Sequence, residues 1–152
     1  MCVANLRLLL PLLALVFVLD SCNNIPDCRN ETTASSLGIK LYNSADSTLR
    51  QFDFDSIKAE GVDDPLYEDS LLAQYDLALS PDLNAVKFLF YEFPDIYCLE
   101  VGYDRSISVL SEECGPLLNF SGIEIKQHDF DSVAVVNDFL DQSFPDNLEI
   151  YF

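Results

Sequence analysis

The chain reads as an all-β protein: an antiparallel β-sandwich, immunoglobulin-like, of about 7–9 strands, with a partly closed barrel as the alternative architecture. Three observations predict this. From residue 35 to the carboxyl end, apolar and polar residues alternate with a period of two, the signature of a half-buried strand. Clusters of Pro, Gly, Asn, Asp and Ser interrupt the alternation at short spacing. Only Val136–Gln142 carries a helical pattern, and it is as compatible with a single turn as with a helix.

The runs follow in order. Leu37, Ile39 and Leu41 alternate with Gly38, Lys40 and Tyr42; Phe52 and Phe54 alternate with Asp53 and Asp55, with a looser continuation to Val62. Ala73, Tyr75, Leu77 and Leu79 form the next inward set. Val86, Phe88 and Phe90 belong to a segment apolar enough to be central. Tyr97, Leu99, Val101 and Tyr103 lead to a turn at Asp104–Arg105, and residues 106–111 return, so 97–103 and 106–111 read as a hairpin. Ile123 with Ile125, Val133 with Val135, and Leu148, Ile150 and Phe152 complete the set. The remaining turns fall at Asn43–Ser47, Asp63–Pro65, Ser80–Asn84, Phe93–Asp95, Gly115–Pro116 and Pro145–Asn147. No repeat or low-complexity tract is visible.

The amino-terminal end has a different character. Residues 8–19 (LLLPLLALVFVL) are an unbroken apolar run behind Arg7, followed at once by Asp20, Ser21 and Cys22. A run of that length suits a signal peptide, whereas a spanning helix needs about 18 or more apolar residues. LDSC at 19–22 looks like a lipobox, which implies diacylation of Cys22, cleavage before it and acylation of the new terminus. The basic end is thin, and Asp20 is unusual beside the cleavage point. An ordinary secretory signal and an uncleaved anchor are the alternatives, the second opposed by Pro11. The organisation expected is therefore 1–21 signal peptide, 22–34 lipidated tether and 35–152 sandwich domain. The membrane partner is reached through the acyl chains on Cys22: one chain holds weakly, at about 0.8 kcal/mol per buried methylene, and two or three hold firmly.

The formal net charge is −18, from 26 acids against 8 bases. Phosphate neutralisation needs clustered Lys and Arg, so nucleic acid is excluded as a partner. A second, electrostatic attachment to anionic lipid is disfavoured too. The plain reading of the charge is a solvated acidic surface; cation binding and a basic partner are the sharper ones.

Motifs for chemistry are scarce. DFDS occurs at 53–56 and 129–132, and alternation turns its aspartates to solvent and its phenylalanine inward. The acidic stretch VDDPLYED offers Asp63, Asp64, Glu68 and Asp69 as weak metal candidates, but without the glycine and ligand spacing of a calcium loop. His128 is the only histidine, so neither a zinc ligand set nor a Ser-His-Asp element is supported, and it reads as a surface or strand-end residue. The glycosylation sequons at 30–32 and 119–121 matter only on a eukaryotic secretory route. The 7 tyrosines and 11 phenylalanines occupy mostly inward positions, which favours a core over a sugar-binding platform. No catalytic residue and no cofactor is expected.

DCRNETT (27–33), SEECG (111–115), DFDSV (129–133) and NLEIYF (147–152), in that order and spacing, resemble an uncharacterised domain-of-unknown-function family of small Bacteroidetes-type lipoproteins. The resemblance covers essentially the whole mature domain. It implies a lipoprotein address and a joint importance of Cys28 and Cys114, and brings no activity, cofactor or catalytic residue. In such bacteria an acidic cluster after the lipidated cysteine accompanies surface export. Cys22 is followed instead by Asn23, Asn24, Ile25 and Pro26, so the periplasm-facing side of the outer membrane is expected.

Paired cysteines in an oxidising envelope should be bridged. The hairpin expected about Asp104–Arg105 places Cys98 opposite Ser111 and about 10 Å from Cys114, beyond disulfide reach. Cys28 and Cys114 both fall at strand ends. With the resemblance, this gives Cys28–Cys114 as the expected disulfide and Cys98 as a free thiol. The expected function is a lipid-anchored cell-envelope protein, not an enzyme, acting as an interaction or structural module, with another envelope protein as partner. A calcium- or carbohydrate-binding lipoprotein is the alternative.

Overall fold

A computed structural model describes residues 36–109, 116–140 and 146–152 of the chain. Among them nine strands form: β1 (Ser36–Tyr42), β2 (Phe52–Ala59), β3 (Tyr67–Leu72), β4 (Gln74–Ala78), β5 (Ala85–Glu92), β6 (Asp95–Val109), β7 (Pro116–His128), β8 (Ser132–Val135) and β9 (Asp146–Tyr151). They make a four-stranded sheet ordered β4-β1-β9-β8 and a five-stranded sheet ordered β3-β2-β5-β6-β7. The protein is an all-β sandwich, as the alternation predicts. The first and last strands lie side by side and parallel in the middle of one sheet, and every other strand pairing is antiparallel. That order is not the A-B-E-D and C-F-G arrangement of immunoglobulin domains, so the subtype expected from strand count is corrected to a sandwich of different topology.

Period-two alternation places one face of each strand between the sheets. Leu37, Ile39 and Leu41 of β1, Phe54 and Ile57 of β2, Tyr75 and Leu77 of β4, Phe88 and Phe90 of β5, Leu99 and Val101 of β6, and Leu148 and Ile150 of β9 are all buried in one core. Aromatic rings knit the layers at one end. Phe152 lies 4.1 Å from Phe52 and 4.7 Å from Phe130 between ring centroids, and Phe54 lies 5.9 Å from Tyr75 on the opposite sheet. Such contacts add about 0.5–1.5 kcal/mol each beyond burial.

Three expectations need correction. No hairpin turns at Asp104–Arg105: β6 runs unbroken from Asp95 to Val109 and pairs with β7, Arg105 facing Phe120 and Val109 facing Pro116. The polar pair is tolerated in mid-strand because Asp104 is exposed and Arg105 reaches out to Asn84 Oδ1, 2.8 Å away, and to the Pro81 carbonyl. No helix forms over Val136–Leu140, the described part of the expected helical stretch. That segment bends at Val136 and Asp138 and is tied to β7 by a bridge between Ser121 and Phe139 and a Leu140 N–H to Phe120 carbonyl bond of 3.1 Å. The acidic stretch is a loop only to Leu66, and Tyr67–Leu72 is a strand. Where β7 shifts register, Gly122 takes a positive φ of 62°, and a Cβ there would stand 2.9 Å from Asp104 Oδ2.

Candidate interaction surface

The feature that stands out is the β5–β6 hairpin. Its strands pair from Ala85 opposite Gly102 to Glu92 opposite Asp95, leaving Phe93 and Pro94 as a two-residue turn with a cis peptide between them. Because Phe88 and Phe90 point into the core, Lys87, Leu89 and Tyr91 point outward, with Glu100, Cys98 and Ile96 opposite them on the same face. The outer face is therefore apolar toward the turn and charged away from it. Phe93 is 90% exposed, the most exposed of the large apolar side chains described, and Ile96 is 55% exposed. At the far end Lys87 and Glu60 pair at 3.6 Å beside Glu100, lining an open hollow of about 260 Å³.

Cys98 is buried yet lies on this outer face, outside the sandwich core. Its amide donates to Asp129 Oδ2 at 2.9 Å and its carbonyl accepts from the Asp129 amide at 3.1 Å, which ties the residue after β7 to β6. Burial pushes the thiol pKa up; Lys87 opposes this, and the carboxylates of Asp129, Glu100 and Glu60 add to it. A thiol so held is the protonated, weaker nucleophile.

The turn is fixed and acidic. The Phe93 amide donates to Asp55 Oδ2 at 2.8 Å, so β2 grips the hairpin tip. Glu92 and Asp95 flank the turn in sequence, and burial, followed by the charges of Glu92, Asp95 and Asp131, raises the Tyr97 phenol pKa. The ion pairs among the described residues are Lys40–Asp146, Lys87–Glu60 and Lys126–Glu124, so none of the three tip carboxylates, Asp55, Glu92 and Asp95, has an ion-pair partner there. An exposed aromatic ring thus stands on a held turn amid carboxylates that have no ion-pair partner among the described residues.

No family model, curated protein or solved structure matches the chain.

The residues singled out in the sequence are distributed as follows. Cys22, Cys28 and Cys114, with the signal and the tether, lie outside the described residues. Asp63 and Asp64 are exposed in the β2–β3 loop, Glu68 and Asp69 are exposed on β3, and among the described residues no group of three acids, histidines or cysteines converges as a metal site. In both DFDS copies the phenylalanine, Phe54 or Phe130, is buried and the flanking aspartates are exposed. His128 ends β7, its Nδ1 3.1 Å from the Phe130 carbonyl, which requires an N–H at that nitrogen. Asn119 of the second sequon bonds Ser108 Oγ at 2.9 Å across the β6–β7 ladder. In the sequence Phe93 reads only as part of the turn Phe93–Asp95. The available signal was a bulky aromatic between two acids at a position where a polar residue is usual.

Proposed function

We propose that the chain is a lipid-anchored cell-envelope protein, held by acyl chains on Cys22 on the periplasm-facing side of the outer membrane, and that it acts by binding another protein and not by catalysis. The address rests on residues 8–22 and on the likeness to small Bacteroidetes-type lipoproteins. The first described strand starts at Ser36, fourteen residues after Cys22, which suits a domain on a short tether. The observation that carries the binding role is Phe93, a large apolar side chain left 90% exposed on a turn held by Asp55. The test is detergent-phase partitioning of the full chain expressed with its own signal in a Gram-negative host. Lipidated protein enters the detergent phase and Cys22→Ala stays in the aqueous phase; aqueous partitioning of both overturns the anchor.

A second reading, carbohydrate binding, is favoured by one observation. Tyr42 and Tyr151 stack with centroids 5.3 Å apart and an angle of 22° on the outer face of the four-stranded sheet, next to Lys40 and Glu149. Titration with a glycan panel, wild type against Tyr151→Ala, tests it. No binding, or binding unaffected by the substitution, removes it.

A further inference from the structure

We infer that the β5–β6 hairpin tip is a docking surface for a cationic, apolar segment of a partner protein, with Phe93 as the buried anchor and Asp55, Glu92 and Asp95 as the charges that steer and frame it. The inference deepens the binding role proposed above and rests on it.

Four features of the tip agree. Phe93 is the described large apolar side chain with the most surface to give up, at 90% exposure, and interface hot spots are few, large and central. The turn that carries it is held by the Asp55 bond, so little conformational freedom is lost on binding. Ile96 and Tyr91, directly opposite each other on the outer face, continue the apolar surface back from the turn. The carboxylates at the turn lack an ion-pair partner among the described residues, and the register sets Lys58 back from the turn, opposite Leu89.

That charge chooses between occupants. A second copy would bring one acidic ring against another on a chain of net charge −18. An anionic membrane surface would repel the same carboxylates. A segment that alternates Leu or Phe with Lys or Arg offers a site for the ring and counter-ions for its rim, so approach is accelerated by the field and complex formation is salt-dependent.

The experiment is a titration of isotope-labelled full-length protein in zwitterionic detergent micelles with two defined peptides of equal charge. One alternates leucine with lysine and the other alternates serine with lysine. Amide shifts for the leucine–lysine peptide are expected to cluster at 91–96 and Asp55. Binding should weaken at least tenfold in Phe93→Ala and also in the triple variant Asp55→Asn, Glu92→Gln, Asp95→Asn. The serine–lysine peptide should bind more weakly by a similar factor. Phe93 touches solvent, so its loss should leave the melting temperature unchanged and the fold intact. Equal binding of the two peptides, or by wild type and Phe93→Ala, overturns the inference as mere charge attraction. So do shifts at 91–96 produced by anionic vesicles, which would make the tip a membrane contact, or by concentration alone, which would make it a self-contact. Failure here leaves the detergent-partitioning result standing, so the docking surface and the lipid anchor are tested separately.

Discussion

Asn147 accepts a hydrogen bond at its Oδ1 from the Gly38 amide, 3.0 Å away and 109 residues earlier in the chain. Its Nδ2 donates to the carbonyls of Asn137, at 3.2 Å, and Phe139, at 3.0 Å. Asn147 is the buried polar side chain among the described residues, 1% exposed, and it sits where β1 and β9 shift register between Gly38 and Ile39. One side chain thus supplies bonds where the parallel ladder is interrupted, and it pins the segment 137–139 to the sheet.

Asn147→Ala should therefore destabilise the domain by about 3 kcal/mol, the upper end of the cost of a stranded buried group. Urea unfolding is the measurement. The midpoint should fall with an unchanged m-value. A loss below about 1 kcal/mol would mean that water replaces the side chain without penalty.

Stability should be lost in alkali. Burial raises the pKa of Tyr75, with smaller contributions from Asp53 and Tyr67 and an opposing one from the Leu72 amide. Burial raises Tyr103 as well, opposed by the Ser80 bond and by Arg105. Hydrogen bonding to Asp146 raises Lys40. A group whose folded pKa lies above its unfolded value holds its proton longer in the native state. Its contribution is complete below about pH 10 and declines as pH rises through the folded value. Unfolding free energy should be level to about pH 8.5, begin to fall there because the unfolded Cys98 thiol ionises before the buried native one, and fall further above about pH 10. Tyr75→Phe should flatten that fall. At neutral pH it should cost about 1–2 kcal/mol, because the phenol bonds the Ser70 carbonyl at 2.6 Å and the Leu72 amide at 3.3 Å. A steeper alkaline loss in Tyr75→Phe would contradict the assignment.

Much of this fold is legible in the chain because its central strands bury a single face. Leu37, Ile39 and Leu41, or Leu148 and Ile150, announce themselves by alternation, and all are buried. What escapes is what lacks that contrast. β3 is exposed or half-exposed along its length, so Tyr67–Leu72 shows no inward set. The first part of β7 begins at Pro116, a residue that reads as a turn but is tolerated at a strand's first position. Asp104–Arg105 reads as a turn by composition, although partners at Asn84 and Pro81, twenty-odd residues away, keep it extended. The candidate surface is harder still. That Phe93 lies in a turn is local information; that its ring is left outside depends on β2 reaching across with Asp55.

Self-repulsion from a net charge of −18 should make melting temperature rise with NaCl, since added salt shortens the Debye length to about 8 Å at physiological strength. Scanning calorimetry in CaCl₂ at matched ionic strength separates screening from coordination. Equal shifts in the two salts are expected, because Asp63, Asp64, Glu68 and Asp69 do not converge with one another as a site. A much larger shift with Ca²⁺ would restore calcium binding.

Cys98 is expected as a free thiol, now for a different reason than a hairpin register. It lies eleven residues before Val109 on the continuous β6, about 36 Å along the strand, and Val109 pairs with Pro116, two residues after Cys114 in sequence. Non-reducing peptide mapping should yield the proposed Cys28–Cys114 peptide and alkylated Cys98. A Cys98–Cys114 peptide would contradict the β6–β7 register itself.

Whether the chain is lipidated at Cys22 decides the account more directly than anything else. Metabolic labelling with a clickable fatty acid in a Gram-negative host, using the full chain with its own signal, answers it. Incorporation into wild type and none into Cys22→Ala is the result expected. An unlabelled wild type, or a Cys22→Ala variant labelled as strongly as wild type, would contradict it.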